Sequence, residues 1–433
     1  MPHKKLKKVL IITYYWPPAG GPGVQRVLKF AKYLPEFGWQ PIILTVKTGE
    51  FPAIDNTLEK DIPKECIVYK TNSWEPTNLY KNFAGMKKGE KIPVAVLSEK
   101  NLNWKRRIAN WVRLNLFIPD AKIGWIPFAV KKGRKIIKKH QPDMIFSSSP
   151  PPTVHLIAKK LAKWSGTKWV ADFRDPWTQI HYYCGKRSSF SKWLDGVKEK
   201  QTVNSANWLT AASRQFIALI GADIKQNTTV ITNGFDQPEV PVRKQRNPKF
   251  TIVHIGSINR NRFYPAFYRG IRSLLERGLL SSENFVLRFA GKIESSVQNE
   301  IADILKPYHV TEFMGYIPHD QAMYEMCSGD LLLLFLENVR DYAGHIPGKL
   351  FEYMITGNYI LGVGNRHGEA AAILHETDCG RVIDPTDDFS TIIGKLFIQW
   401  KNRTLAPREL REFAKYSRYE LTRQLVSVFE RVL

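Results

Sequence analysis

The sequence predicts an α/β protein of two Rossmann-like domains facing across a cleft. Three observations predict it. Apolar runs of strand length alternate with amphipathic stretches of helix length throughout the 433 residues, the pattern of parallel sheets with helices on both faces. The alternation comes as two series, joined near residues 233–249. The joint itself, Gln237-Pro238-Glu239-Val240-Pro241 with Arg243, Lys244 and Arg246 following, has linker composition. The length suits two domains that each bury a core, and the apolar and charged fractions (43% and 24%) are those of a globular chain.

The first strand is expected over residues 9–13. The preceding Lys4-Lys5-Leu6-Lys7-Lys8 gives this start the look of a signal peptide. Its apolar run is short, however, turns aromatic at Tyr14-Tyr15-Trp16 and meets Pro17-Pro18 without a small-residue cleavage pattern. A helix over about 24–37 and a strand over 40–46 follow. Next come a strand at 143–147, a helix around 154–163, and strands at 168–172, 208–211 and 228–232. The second series has strands at 249–255, 285–291, 310–314, 331–335 and 359–363, with helices at 264–277 and 349–355. The tail from about 405 reads as helix. No run of about 18 apolar residues occurs, so no membrane-spanning segment is expected.

In an open parallel sheet the loops at the carboxyl ends of strands line the ligand crevice. Three such loops stand out in the first half. Pro17-Pro18-Ala19-Gly20-Gly21-Pro22-Gly23 is not GxGxxG, and its prolines argue against a dinucleotide fingerprint. Ser147-Ser148-Ser149-Pro150-Pro151-Pro152 fits a loop offering hydroxyls to a sugar, and equally a polar turn with no ligand. Asp172-Phe173-Arg174-Asp175-Pro176-Trp177 puts three charges in four residues, either as a surface ion pair or as Arg174 and Asp175 meeting a substrate.

The second half carries the most specific stretch, His345-Ile346-Pro347-Gly348-Lys349-Leu350-Phe351-Glu352-Tyr353. A helix opening directly behind Pro347-Gly348 leaves unpaired N–H groups beside Lys349, a seat for a diphosphate. Glu352, one turn further in, suits the two hydroxyls of a ribose. The same spacing also fits a capped helix with a solvated Lys and Glu. Ile255-Gly256-Ser257 closes a strand just before Arg260 and Arg262, and Arg suits two-pronged contact with phosphate oxygens. Asn233-Gly234-Phe235-Asp236 lies at mid-chain, and Gly315-Tyr316-Ile317-Pro318 follows another strand.

Together, in their order along the chain, these motifs resemble the signatures of glycosyltransferase family 4, whose members have the two-domain GT-B fold. The resemblance implies a retaining transferase of nucleotide sugars. Donor contacts are then expected from Gly256, Ser257, Arg262, Ile317, Gly348, Leu350 and Glu352. Arg260, Lys349 and Asp175 are expected as catalytic residues, with Arg260 ahead of Arg262 as the phosphate partner. Gly20, Gly21 and Arg174 would meet the acceptor. It also implies a last helix, about 412–433, crossing back to an acceptor domain of residues 1–235, with 236–411 as donor domain. Many relatives carry a second Glu eight residues before the one matching Glu352, and here that position is Gly344.

No Asp-x-Asp pair stands on a strand end, and Asp387-Asp388 reads as a loop and helix cap, so neither metal nor cofactor is expected. Four scattered cysteines, Cys66, Cys184, Cys327 and Cys379, suggest reduced thiols in a cytoplasmic protein.

The net charge of +24 is lopsided. Residues 1–200 hold 37 Lys and Arg against 15 Asp and Glu, whereas residues 201–433 hold 27 against 25. Such a chain approaches something anionic with its first half. The stretch 104–139 mixes Trp104, Trp111, Phe117, Trp125 and Phe128 with many Lys and Arg, and fits a peripheral helix on an anionic membrane at the inner face of the cytoplasmic membrane. It fits as well a helix packing its aromatics inward. A transferase acting on a cell-envelope saccharide or lipid-linked acceptor explains this asymmetry. A nucleotide-sugar epimerase of the same fold would not need it. A basic nucleic-acid-binding protein would leave Lys349 and Glu352 unexplained.

Overall fold

A computed structural model describes residues 6–51, 53–75, 104–180, 186–220, 227–236, 247–337, 343–405 and 410–433. The chain divides into two compact units, one of Met1–Asn233 with Arg418–Leu433, the other of Gly234–Ser417. Most of the Pro-rich joint and Cys184 lie outside the described residues. Among the described cysteines, Cys66 is half-buried and Cys327 and Cys379 are buried, all as free thiols.

The first unit is built on β1 (Lys7–Ile12), β2 (Ala19–Gly20), α1 (Pro22–Tyr33), β3 (Trp39–Val46), β4 (Ala53–Ile54) and β5 (Ile67–Thr71). Helices α2 (Trp104–Asn115) and α3 (Ile126–His140) follow, then β6 (Met144–Ser149), α4 (Thr153–Ser165), β7 (Lys168–Phe173), α5 (Ser189–Val203), β8 (Trp208–Ala211), α6 (Arg214–Ile220) and β9 (Asn227–Val230). Seven strands form one parallel sheet in the order β5-β3-β1-β6-β7-β8-β9. Alternate residues of each strand face opposite cores. Leu10 and Ile12 of β1 enter one cluster with Trp125, Ile157 and Trp169, while Val9 and Ile11 enter the other with Val24 and Leu28. Both faces are covered, which is why residues 9–12 of β1 read as an unbroken apolar run.

The second unit contains β10 (Phe250–Ile255), α7 (Pro265–Glu276), β11 (Phe285–Ala290), α8 (Ser295–Leu305), β12 (Thr311–Phe313), α9 (His319–Ser328) and β13 (Leu331–Phe335). It is completed by α10 (Gly348–Met354), β14 (Tyr359–Val363), α11 (Glu369–Glu376), β15 (Gly380–Ile383) and α12 (Phe389–Lys401). The parallel order is β12-β11-β10-β13-β14-β15. Leu331, Leu333 and Phe335 join one core cluster, and Leu332 and Leu334 the other. Asp388 accepts from the backbone N–H groups of Ser390 and Thr391, so it caps α12.

Helix α13 (Arg418–Val432) returns to the first unit. Its stripe Leu421, Leu425, Val428 and Phe429 packs with α1, and the Phe429 ring lies 5.1 Å from Trp39 and 5.7 Å from Phe146. The turns at 410–417 stay with the second unit, because the Phe235 N–H donates to the Tyr416 carbonyl at 3.1 Å and Phe235 packs on Phe413. The units therefore part at Asn233 and Ser417, where the sequence suggested 235 and 411.

Local details depart from expectation for identifiable reasons. Helix α1 stops at Tyr33 and continues as a 3₁₀ turn, since Pro35 has no N–H to give. The Gly-rich loop contains β2, which pairs with β4. The basic, aromatic stretch is two helices, and Trp125 between them is fully buried with its indole N–H on Thr71 Oγ1 at 2.7 Å.

Candidate donor and acceptor sites

In a doubly wound sheet the crevice opens where the strand order reverses. In the second unit that point lies between β10 and β13, and the residues that follow them form a site. Tyr353 of α10 anchors it: its hydroxyl accepts from the Ile255 N–H at 2.8 Å and lies 3.3 Å from the Leu333 carbonyl. Lys349 sits one helical turn before Tyr353 and therefore on the same face. Its ammonium is carried over Gly256, where an added Cβ would stand 1.4 Å from Nζ. Gly256 has a φ of 128°, so it is glycine both for its backbone and for the lysine above it.

A backbone shelf continues along the carboxyl ends. The Gly256 N–H donates to the Ala290 carbonyl, and the Gly291 N–H donates to the Gly315 carbonyl, both at 2.6 Å. A Cβ on Gly291 would lie 2.3 Å from the Gly256 oxygen, so the two turns stack with no side chain between them.

Burial pushes Lys349 down to about 8, Glu352 opposes the shift, and the charge of Arg262 adds to it. Arg262 is thus the guanidinium that shares this field. It donates to Glu337 at 2.7 Å, and its buried Nε has no hydrogen-bond partner among the described residues. Beneath them His254 donates from Nδ1 to the Leu333 carbonyl at 2.8 Å. Burial and then the Lys349 charge drive His254 down to about 3, so it is a neutral floor to the site.

Arg260 takes a different course. Its guanidinium is 56% exposed and donates to Glu300 at 2.7 Å, while its backbone N–H donates to Glu294. The two arginines of the 3₁₀ turn Arg260–Arg262 thus have different partners, and it is the charge of Arg262 that acts on Lys349. Ser257 and Gly348 are exposed, and Glu352 is half-buried. Ile317 is half-buried against the core next to the 88%-exposed Tyr316. Leu350 is fully buried, so only its backbone can serve a ligand, and its N–H already donates to the Pro347 carbonyl at 3.0 Å. Gly344 is buried and brings no carboxylate to the place where many relatives have Glu.

In the first unit the order reverses between β1 and β6. Arg174 lies at this end, and a Cβ on Gly23 would be 3.3 Å from its Nη1 and 3.3 Å from Tyr15. Asp175 is 3.8 Å from the same guanidinium. Trp177, just beyond, holds the loop to α5 by donating its indole N–H to Asp195 at 2.8 Å. Gly21 is open, with a φ of 98°, and Gly20 is packed in the ribbon beside Ala53 and Asp55.

Asp172 and the serine run lie elsewhere than the sequence suggested. Asp172 does not join Arg174 at the surface: it is buried and accepts from Arg26 Nε at 2.9 Å and Nη2 at 2.7 Å, from Ser148 at 2.6 Å and from Thr210 at 2.7 Å. Burial would raise its carboxyl, but the Arg26 charge and these hydrogen bonds outweigh that and hold it low. Nor are Ser147, Ser148 and Ser149 free for a sugar. They are the buried end of β6, and Ser147 Oγ bonds both His155 Nδ1 and the Trp169 indole at 2.8 Å.

A further cluster lies beside β1. Lys122 lies 2.6 Å from Glu75 and 3.9 Å from Glu50, with its ammonium over the Tyr14 ring, and Tyr14 donates to Glu75. These four residues are far apart in the chain, so no spacing could reveal them. Among the described residues no group of three or more His, Cys, Asp or Glu could hold a metal ion.

Solved structures share this architecture. A glycosyltransferase from Rickettsia africae ESF-5 superposes with a TM-score of 0.59 at 14% identity, over 99% of both chains. Alr3699/HepE from Anabaena, solved in complex with UDP-glucose, gives 0.56 at 12% identity over 98% of this chain and 99% of its own. A putative UDP-N-acetylglucosamine 2-epimerase from Listeria monocytogenes gives 0.52 at 11% identity over 98% and 97%. At such identities the likeness is one of fold, and the fold is that of the GT-B class. A search of the curated proteins gives no match. The sequence profile of Glycosyltransferase Family 4 matches residues 21–239, just over half of the chain. The chain belongs to that family and is a glycosyltransferase.

Proposed function

We propose that the second unit seats a nucleotide-sugar donor and that the enzyme transfers its sugar to a cell-envelope saccharide or lipid-linked acceptor, with retention and without a metal. The observation that carries this reading is the Lys349 ammonium lying on Gly256 at the switch point, next to Arg262. As the bond from the sugar to the diphosphate breaks, the electron pair goes to the leaving oxygen. Fixed cations at that oxygen stabilise charge that develops only in the transition state. Lys349 supplies a point charge and Arg262 a fork. Glu352 is assigned to the ribose hydroxyls, while Gly256, Ser257, Ile317, Gly348 and Leu350 offer backbone. In the first unit, Arg174 and the turn with Gly20 and Gly21 are assigned to the acceptor, and the Asp175 carboxylate to the acceptor's proton. The enzyme would work in the cytoplasm, at the inner face of the membrane.

The test is incubation of the protein with radiolabelled UDP-, GDP-, ADP- and dTDP-sugars and a crude membrane extract, with and without EDTA. Label should move into an extractable saccharide in both cases, and the anomeric signal of the product should match that of the donor. Donor that is epimerised or hydrolysed with no transfer to any acceptor would overturn the proposal.

A further inference from the structure

Helix α2 is apolar on two faces. Its inner face is buried through Ala109 and Leu114. Its outer face presents Trp104, Ile108 and Trp111, spaced i, i+4 and i+7, and these are 60%, 45% and 55% exposed. Leu116, just past the helix, is 64% exposed. A second pair, Phe190 and Trp193 at the start of α5, is 68% and 60% exposed, with ring centroids 5.9 Å apart.

The two helices are pinned to each other. The Ser188 N–H donates to Asn115 Oδ1 at 2.7 Å, Ser191 Oγ donates to the Asn115 carbonyl at 3.0 Å, and Arg187 donates to the Pro119 carbonyl at 2.5 Å. The six exposed apolar residues thus belong to one fixed edge of the first unit. Single exposed hydrophobes are ordinary on a soluble protein, but a stripe of this kind on two tied helices marks a docking surface.

Charge says what docks there. Residues 104–117 and 186–194 contain seven Lys and Arg and no Asp or Glu; Arg107 and Lys192 stand exposed beside the rings, whereas Arg187 is buried in an ion pair with Asp195. Aromatic rings among cations match an anionic lipid surface, where indoles sit at headgroup depth. A second copy of the chain would bring like charges together. We propose that this edge of the first unit docks on an anionic bilayer, through Trp104, Trp111, Phe190 and Trp193. The inference stands apart from the donor-site assignment. It also moves the contact away from Trp125, which stays in the core.

The experiment is sedimentation of the full chain with phosphatidylglycerol-containing vesicles at low salt, against phosphatidylcholine alone, using vesicles that carry no saccharide. The triple variant Trp104→Ser/Trp111→Ser/Trp193→Ser should bind on the order of 100-fold more weakly, since three rings leave the interface. Brominated acyl chains should quench the fluorescence of the wild type more than that of the variant. Because the three rings are exposed, thermal unfolding and nucleoside-diphosphate binding of the variant should match the wild type, which separates this test from failure of the donor assignment. The proposal is overturned if wild type ignores anionic vesicles at low salt, or if the variant binds them equally well. It is also overturned if the variant instead loses self-association or binding to a single-stranded oligonucleotide that the wild type shows without any vesicle binding.

Discussion

Replacing Gly256 by Ala puts the donor seat under direct test. The new methyl would stand where the Lys349 ammonium now lies, 1.4 Å from Nζ, and 2.8 Å from Cε. The lysine can escape only by swinging its flexible end away from the strand terminus. That removes one cation from the diphosphate, and the loss of such a preorganised partner costs about 2.7–4 kcal/mol, a factor of 10²–10³ in kcat. The φ of 128° adds backbone strain, of about 1–3 kcal/mol, which appears in thermal unfolding and not in transfer. The discriminating assay is a double-mutant cycle on nucleoside-diphosphate affinity by isothermal titration. If Gly256→Ala acts by displacing the lysine, then adding it to Lys349→Ala should change affinity by less than about 0.5 kcal/mol. Fully additive losses would show that Gly256 matters for some reason other than the ammonium above it.

Three further expectations follow from the same geometry. Because burial holds Lys349 near 8, its charged form dominates below pH 7, and affinity for a nucleotide sugar, whose diphosphate diester does not titrate there, should be nearly flat. Above pH 8 affinity should fall by up to about tenfold per pH unit, while Lys349→Met should be weak and flat throughout; a wild-type profile level to pH 10 would contradict the assignment. Arg262→Ala should cost about 2–4 kcal/mol in kcat/KM whereas Arg260→Ala, which breaks only a solvent-exposed pair with Glu300, should cost under about 1 kcal/mol. Steady-state kinetics of the two variants decides between them, and a larger loss at Arg260 would restore the order that the sequence suggested. Asp172→Ala should destabilise the protein by about 3–5 kcal/mol, since it strands the buried Arg26 guanidinium. Denaturant unfolding reads this, and a loss within about 0.5 kcal/mol would mean that the pair is not structural.

The sheets were legible because their central strands are buried on both sides. Leu331 to Phe335 and Val9 to Ile12 can be nothing but interior, and the glycines that close β10 and β12 mark where the chain leaves the sheet. Of the four edge strands, β9 and β12 were legible, whereas β5 and β15 were not, since Lys70 and Arg381 interrupt their apolar pattern. Side-chain neighbours were legible only where the chain itself brings them close. Lys349 and Glu352 lie within one helical turn of each other, so their nearness could be read. Arg26 and Asp172 are 146 positions apart, so Asp172 looked like a companion of Arg174. The choice between Arg260 and Arg262 depended on the direction of a three-residue turn, which no spacing rule gives. Trp111 and Trp125 looked alike in a basic stretch, but one is 55% exposed and the other is buried on Thr71.

The most direct test of the central claim is thermal unfolding of the wild type and of the Arg262→Ala/Lys349→Ala double variant against UDP-, GDP-, ADP- and dTDP-sugars. At a ligand concentration 100 times its Kd, at least one of the four should stabilise the wild type by about 2.7 kcal/mol. The double variant should unfold like the wild type without ligand and show no stabilisation by that same nucleotide sugar. Equal stabilisation of both proteins, or none of the wild type by any of the four, would contradict a donor site built on Arg262 and Lys349.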